Sequence, residues 1–144
     1  MKKEKEDTPV QYIERNVLVI IVIAGISAFF AINAYLLFKE VDPRAFVLGI
    51  PALIFGFQAL WLGLNPFAVI YDDKFEIKRS FISNRFWYFI DIKEVKEAES
   101  GGFRIVYNDD ETEKISFFGI RSSQKKLFRD AVNKFVCKSL VERD

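Results

Sequence analysis

The sequence predicts a membrane α-helical hairpin of two spans, followed by an α+β domain whose curved antiparallel sheet is capped by a C-terminal helix. Two observations carry this prediction: segments 16–38 and 45–71 contain no charge, and alternating apolar residues follow them. At 144 residues the chain has room for one anchor and one small domain. We divide it into a cytoplasmic N-terminal tail at 1–15, a hairpin at 16–65 and a domain at 66–144.

The first span, 16–38, is 23 residues long and at about 1.5 Å per residue crosses a hydrocarbon layer of about 30 Å. Its apolar run is longer than that of a signal peptide, and the residues before it mix acids with bases, so we expect a retained helix. The second span, 45–65, follows Asp42, which is placed to cap it, and ends before Pro66, which disfavours helical geometry at the preceding residue. The short turn at 39–44 makes the spans an antiparallel hairpin.

Small residues recur every three or four positions along both spans and predict where the helices pack. Positions that face each other across a tight turn share a constant sum of residue numbers, which is 83 for Ser27 with Gly56 and for Ala31 with Ala52. Small residues let membrane helices approach closely where lipid gives no hydrophobic drive for pairing. The alternative is that Ala and Gly are simply common in membrane helices. The predicted seam comprises Ala24, Ser27, Ala31, Ala34, Gly49, Ala52, Gly56 and Ala59.

Two amides in the spans, Asn33 and Gln58, project away from this seam. Amides in hydrocarbon usually find a partner on another helix, and here a second copy of the chain is one candidate partner. The other interpretation is that each amide reaches the interface or water. Contacts between copies would support a homo-oligomeric transport or channel-like element, the alternative to the function we favour below.

Basic residues lie at the outer ends of the two spans, and only Lys39 and Arg44 lie between them. The positive-inside rule therefore predicts a protein of the cell (inner) membrane with both termini in the cytoplasm. The single cysteine, Cys137, permits no intramolecular disulfide, which fits a domain in the cytosol.

After residue 66 the apolar residues alternate, as in half-buried strands. "FAVIYDDKFEI" alternates on both sides of an acidic turn, whereas "RFWYFIDI" is apolar on both faces and predicts a strand covered on two sides. Further turns at 101–102 and 109–111 give about six antiparallel strands, a curved sheet or partial barrel. Ser122 or Ser123 caps the final helix, whose apolar face comprises Leu127, Phe128, Ala131, Val132, Phe135, Val136 and Leu140.

This order of strands and one C-terminal amphipathic helix resembles the pleckstrin-homology-like fold. The resemblance is closer still to small bacterial membrane proteins in which two spans run directly into such a domain. In that family a Pro-led first strand precedes an acidic turn, and an aromatic–Asp–Ile junction follows; here these are "NPFAVIYDDKFEI" and "RFWYFIDIKEV". The resemblance covers nearly the whole chain. Two features depart from it: six strands stand in place of seven, and Trp87 lies four residues before Asp91, farther than is usual.

The resemblance implies headgroup binding by clustered bases on an early hairpin of strands, for which the candidates here are Lys74, Lys78, Arg79 and Arg85. The alternative is that these bases only follow the positive-inside rule. Residues 67–144 carry 15 bases and 14 acids, a balance that argues against nucleic acid as a partner.

The chain has no histidine, the commonest general base and metal ligand. The paired acids fall in turns, where Asp is favoured for local hydrogen bonds. We therefore expect no enzyme, cofactor or metal. The favoured hypothesis is a bilayer-anchored module that contacts an unidentified protein partner in scaffolding or regulation, with self-association as a further interaction.

Overall fold

Two long apolar helices lie between the first and second strands of a mixed domain. The computed structural model describes residues 8–98 and 101–141. In those residues the helices are α1 (Val17–Lys39), α2 (Arg44–Leu64) and α3 (Gln124–Val141). The strands are β1 (Gln11–Ile13), β2 (Ala68–Ile70), β3 (Lys74–Lys78), β4 (Asn84–Tyr88), β5 (Ile92–Ala98), β6 (Gly102–Tyr107) and β7 (Thr112–Ile115), with a 3-10 turn at Phe89–Asp91.

Helices α1 and α2 form the predicted pair, and both are long and apolar enough to cross a membrane. Asn16 caps α1, since its side-chain oxygen accepts a hydrogen bond from the Leu18 amide at 3.0 Å. Asp42 likewise accepts from the Arg44 amide at 2.8 Å, as the sequence predicts. The second helix ends at Leu64 because Asn65, which precedes a proline, has an extended backbone.

The two helices pack along a repeat of alanines on α2, where Ala45, Ala52 and Ala59 are all at most 9% exposed. The Ser27 hydroxyl of α1 donates to the Ala52 carbonyl at 2.7 Å. A Cβ built on Gly56 would lie 3.1 Å from Ser27 Oγ, which is the pairing that the sum of 83 predicts.

The α1 side of the seam differs from the predicted stripe of small residues. Ala24 and Ala31 are exposed, whereas Ile23 and Phe30 are partly buried beside Ser27. The Phe30 ring stacks on Phe55 of α2 with their centroids 6.1 Å apart. Larger side chains of α1 therefore cover the alanines of α2, since they offer more dispersion contact than a methyl group.

The Gly56→Leu variant is expected to weaken the helix pair by about 1–3 kcal/mol, because the added side chain meets Ser27 across the seam. The measurement is the midpoint of denaturation by dodecyl sulfate in mild detergent, followed by circular dichroism. Gly49→Leu is the matched control on the same helix, since no neighbouring atom lies within 4 Å of a Cβ there. Equal losses in the two variants would contradict the observed register.

The strands form two antiparallel sheets, one with the order β1-β2-β3-β4 and one with the order β5-β6-β7. Their inner faces and α3 enclose one core, to which α3 contributes Phe128, Val132 and Val136. Phe75 lies at the centre of this core, with its ring centroid within 6.2 Å of four other aromatic rings. These rings belong to Trp87, Phe89, Phe103 and Phe128.

Strand β1 departs from the predicted N-terminal tail. The segment Gln11–Ile13 pairs with β2, Tyr12 lies opposite Val69, and Ile13 is fully buried. Among the described residues six strands follow the second helix, where about six are predicted, and β1 adds a seventh from before the first helix. The pairing joins segments on either side of the helical hairpin, so local sequence patterns give no sign of it. The remainder of the predicted tail, residues 1–7, lies outside the described residues.

Strand β4 also differs from its prediction as a strand covered on both faces. Trp87 is buried, but its neighbours Phe86 and Tyr88 are 50% and 46% exposed. The strand then ends in the Phe89–Asp91 turn, which returns only Phe89 to the core. The outer face of β4 is therefore open, whereas Val69 and Glu76 on the same face of the sheet are buried.

Candidate functional site

The helical hairpin and the domain meet at Arg15, between β1 and α1. Its guanidinium donates to the Pro66 carbonyl at 3.3 Å and to the Lys78 carbonyl. It also lies 5.5 Å from the centroid of the Phe67 ring. Burial lowers the pKa of Arg15 from its ordinary value. One side chain thus ties the start of the first helix to the end of the second and to β3.

Each of the two amides in the helices donates to a backbone carbonyl of the same chain. Asn33 donates to the Phe29 carbonyl of its own helix at 2.7 Å. Gln58 donates to the Arg79 carbonyl at 3.4 Å, which joins α2 to the loop between β3 and β4. These bonds weaken the reason for expecting either amide at a contact between copies. No sequence pattern indicates the Gln58 bond, because it depends on where the loop between β3 and β4 folds.

The four candidate headgroup bases do not all lie together. Arg79 and Arg85 both lie near Glu113, at the end of β3 that carries Lys78, whereas Lys74 lies at the other end. Lys74 and Lys78 lie at opposite ends of β3, about 13 Å apart at roughly 3.3 Å per residue. Lys78 approaches Asn65 and Glu76, with nitrogen–oxygen distances of 3.5 and 4.0 Å. Arg85 forms a 2.6 Å ion pair with Glu113 of β7. This distribution does not favour multidentate binding of a phosphate.

The outer face of the first sheet carries an aromatic cluster that the sequence analysis did not identify. Strand pairing places Tyr12, Val69, Glu76 and Phe86 in one row across the sheet, and Lys74 opposite Tyr88 in another. Paired residues share a face, and side chains two residues apart point the same way. We define the aromatic face as Tyr12, Tyr71, Lys74, Phe86 and Tyr88.

Lys74 is the cation at the centre of the aromatic face. Its ammonium nitrogen lies 5.4 Å from the centroid of the Tyr71 ring and 5.7 Å from those of Phe86 and Tyr88. These distances are within the range of cation–π attraction. The face therefore combines exposed ring area with a held positive charge. The sequence signal for this face is the alternation of Phe86 and Tyr88, although the apolar run around them predicts a covered strand.

A second polar cluster, centred on Glu113, joins the two sheets. Its carboxylate accepts hydrogen bonds from the Trp87 indole at 3.1 Å and the Tyr107 hydroxyl at 2.7 Å, besides the Arg85 ion pair. Burial alone would raise the pKa of Glu113, but these donors and the charges of Arg85 and Arg79 outweigh it and lower the pKa. Burial and the nearby carboxylate raise the pKa of Tyr107 to about 12. With every partner supplied by the protein, the cluster is suited to structural bridging.

The pH dependence of unfolding is expected to report this cluster. Because the pKa of Glu113 is lower in the folded chain, its stabilisation is present above the ordinary value of 4.5 and is lost as the pH falls below it. The raised pKa of Tyr107 has the opposite sign, so its contribution is lost as the pH rises from 10 toward about 12. Thermal unfolding across both ranges is the measurement. Glu113→Gln should flatten the acid limb, and an unchanged acid limb in that variant would contradict the assignment.

Neither a metal site nor an acidic dyad is evident in the part of the chain that the structure describes. No group of three or more His, Cys, Asp or Glu residues there could hold a metal ion. Of the paired acids, Asp109 accepts from the Glu111 amide at 3.1 Å within its turn, and Asp110 pairs with Lys93. The lone Cys137 is exposed. Asp109 therefore acts within its turn, as Asp residues in turns commonly do, and Asp110 joins that turn to β5.

No family model matches the chain, and neither a curated protein nor a solved structure matches it. The likeness to pleckstrin-homology-like proteins thus stays an expectation from the sequence, and the function is inferred from the geometry of the chain's own residues.

Proposed function

We propose that the protein is a non-enzymatic membrane protein whose hairpin spans the cell (inner) membrane and presents a pleckstrin-homology-like domain in the cytoplasm. The aromatic face of that domain binds a protein partner, in a scaffolding or regulatory role. Both termini lie on the cytoplasmic side, as the distribution of basic residues indicates.

One observation carries the proposal: the hairpin is inserted between two strands that pair with each other. Gln11 lies opposite Ile70, and Ile13 lies opposite Ala68. The domain is therefore attached to the helices by two short connections. Arg15, which lies in the first, donates to the Pro66 carbonyl in the second and to the Lys78 carbonyl of β3. A domain on one flexible linker can rotate freely, whereas two connections fix its orientation. A fixed orientation is useful when one face must meet a partner at the membrane surface.

The strand count supports the pleckstrin-homology-like part of the proposal. With β1 included, seven strands precede the C-terminal helix, which is the number usual for that fold. The C-terminal helix packs on the core through Phe128, Val132 and Val136, which lie on one face of the helix, as in an amphipathic helix that caps a sheet.

The aromatic face supports binding of a protein over binding of a headgroup. Tyrosine and phenylalanine are enriched at the centres of protein interfaces, where they bury a large area at low entropic cost. Tyr12, Phe86 and Tyr88 are each between 46% and 57% exposed, so they are free to be covered by a partner. Of the candidate headgroup bases, in contrast, Lys74 lies apart from the other three, and Arg85 is already paired with Glu113.

Site-specific photocrosslinking in cells tests this function. A photoreactive amino acid at Phe86 is expected to yield a recurrent adduct with one other protein, identified by mass spectrometry. The same amino acid at Lys114, an exposed position on the second sheet, is the control and should not yield that adduct. The Tyr88→Ala variant should reduce the adduct while leaving the near-ultraviolet circular dichroism of the core unchanged.

Two results would contradict the proposal. One is equal labelling of the same proteins from Phe86 and Lys114, which would indicate contact without specificity. The other is an adduct only between copies of the chain, which would favour self-association over a distinct partner.

A further inference from the structure

Two loops of the domain expose large apolar side chains beside the hairpin. The loop between β3 and β4 carries Phe81 and Ile82, which are 45% and 81% exposed. The loop between β7 and α3 carries Phe118, which is 81% exposed. Single exposed apolar residues are common, but here three lie in two loops on one side of the domain.

Hydrogen bonds place both loops against the same end of the hairpin. Gln58, which bonds the Arg79 carbonyl, lies six residues before the end of α2, about 9 Å along the helix axis. The first loop is therefore folded back beside the last two turns of α2. The Asn16 amide donates to the Gly119 carbonyl at 2.8 Å, which places the second loop beside the first turn of α1.

The loops and the helices also share one cleft of about 310 Å³. Arg79 and Phe118 line it from the domain, and Val19, Ile23 and Gln58 line it from the helices. Ile23 lies six residues after the start of α1, so both helices enter the cleft at the same depth.

We propose that the tips of these two loops, Phe81, Ile82 and Phe118, insert into the cytoplasmic interface of the bilayer beside the hairpin. This inference rests on the proposed membrane span. Helix α1, at 23 residues, is about 34 Å long, only slightly more than the roughly 30 Å hydrocarbon layer. A helix of about 34 Å centred on this layer extends only about 2 Å beyond it at each end. A loop that is bonded to the helix about 9 Å inside its end therefore extends past the boundary between headgroups and acyl chains.

The basic residues near the two loops are also consistent with contact between the loops and the bilayer. Lys78 and Arg79 precede the first tip. Arg121, which forms a 2.6 Å ion pair with Glu14, follows the second. Basic side chains beside apolar ones are typical of segments at the cytoplasmic interface, where they meet anionic lipid while the apolar side chains enter the acyl boundary. The lipid that surrounds the hairpin would therefore also lie beside these loops and cover their exposed apolar side chains.

Depth-dependent quenching in vesicles tests the inference with the full chain. Starting from Cys137→Ser, single cysteines are introduced at Ile82, Phe118, Ile32 and Thr112, all exposed positions, and labelled with a nitrobenzoxadiazole fluorophore. Each protein is reconstituted into phosphatidylcholine vesicles with and without brominated acyl chains. The Ile32 label reports the hairpin, and the Thr112 label reports the part of the domain distant from it.

Brominated lipid is expected to remove a large part of the emission at Ile82 and Phe118, as at Ile32, and to leave the Thr112 label unchanged. If Ile32 is quenched but the loop labels behave like Thr112, the inference is wrong and the proposed span stands. If Ile32 is not quenched, both the span and the inference are wrong. If the loop emission varies with the protein-to-lipid ratio and not with bromination, a second copy covers the loops and the inference is overturned.

Discussion

Replacing Phe75 with alanine is expected to lower the free energy of unfolding by about 3–5 kcal/mol. The ring is fully buried and lies 5.1 Å from Trp87 and 5.8 Å from both Phe89 and Phe128, measured between centroids. It therefore joins strands of the first sheet to α3, and its loss leaves a cavity among rigid rings that cannot collapse easily. Urea unfolding in mild detergent, followed by near-ultraviolet circular dichroism, measures the loss.

The control for this substitution is Phe86→Ala, on the same sheet but on its open face. Phe86 is half exposed, so its removal should change stability by less than about 1 kcal/mol. Comparable losses at Phe75 and Phe86 would mean that the aromatic face is covered within the folded chain, and they would contradict the core described above.

The second large effect is expected from Gly102→Ala at the start of β6. A Cβ there would lie 2.0 Å from the Ile115 carbonyl oxygen and 3.2 Å from the Ser116 Cα, both of which are backbone atoms. Neither can move without disturbing the pairing of β6 with β7, in which Phe103 lies opposite Ile115. Overpacking usually costs about 1–3 kcal/mol, and a clash with paired backbone belongs at the upper end of that range.

Hydrogen exchange measures this effect locally, since the amides of β6 and β7 should exchange faster while those of β2 and β3 change less. Gly63→Ala is the matched control, because no neighbouring atom lies within 4 Å of a Cβ at that position. Unchanged exchange in the Gly102→Ala chain would contradict the close approach of the two strands.

The parts of the fold that the sequence predicted are those set by local chemistry. Long segments without charged residues predict both long helices, and Asp42 and Pro66 predict where the second helix begins and ends. The alternation of apolar and polar residues predicts the later strands. Strand β1 was not predictable in this way, because its three residues lie in a charged segment and pair only across the inserted helices. The Gln58 bond was missed for the same reason, since its acceptor at Arg79 belongs to a different part of the chain.

The candidate site was harder to predict because residue type does not reveal what covers a side chain. Phe86 and Tyr88 are apolar enough for a core, and only the strand pairing places them outside it. The basic residues were also difficult to interpret from the sequence, since bases on the same hairpin of strands contact different partners. Arg85 pairs with Glu113, whereas Lys74 lies among aromatic rings.

The insertion of the hairpin between two paired strands also constrains the order of assembly. During synthesis β1 emerges first, but its partner β2 is made only after both helices. Closing so long a connection is entropically unfavourable for a free chain. Two antiparallel helices in a bilayer return the chain to its starting side and hold its ends together. Insertion of both helices into the membrane would then bring β1 and β2 together for pairing. A chain whose hairpin inserts wrongly would leave β1 and β2 apart, and its first sheet would not form.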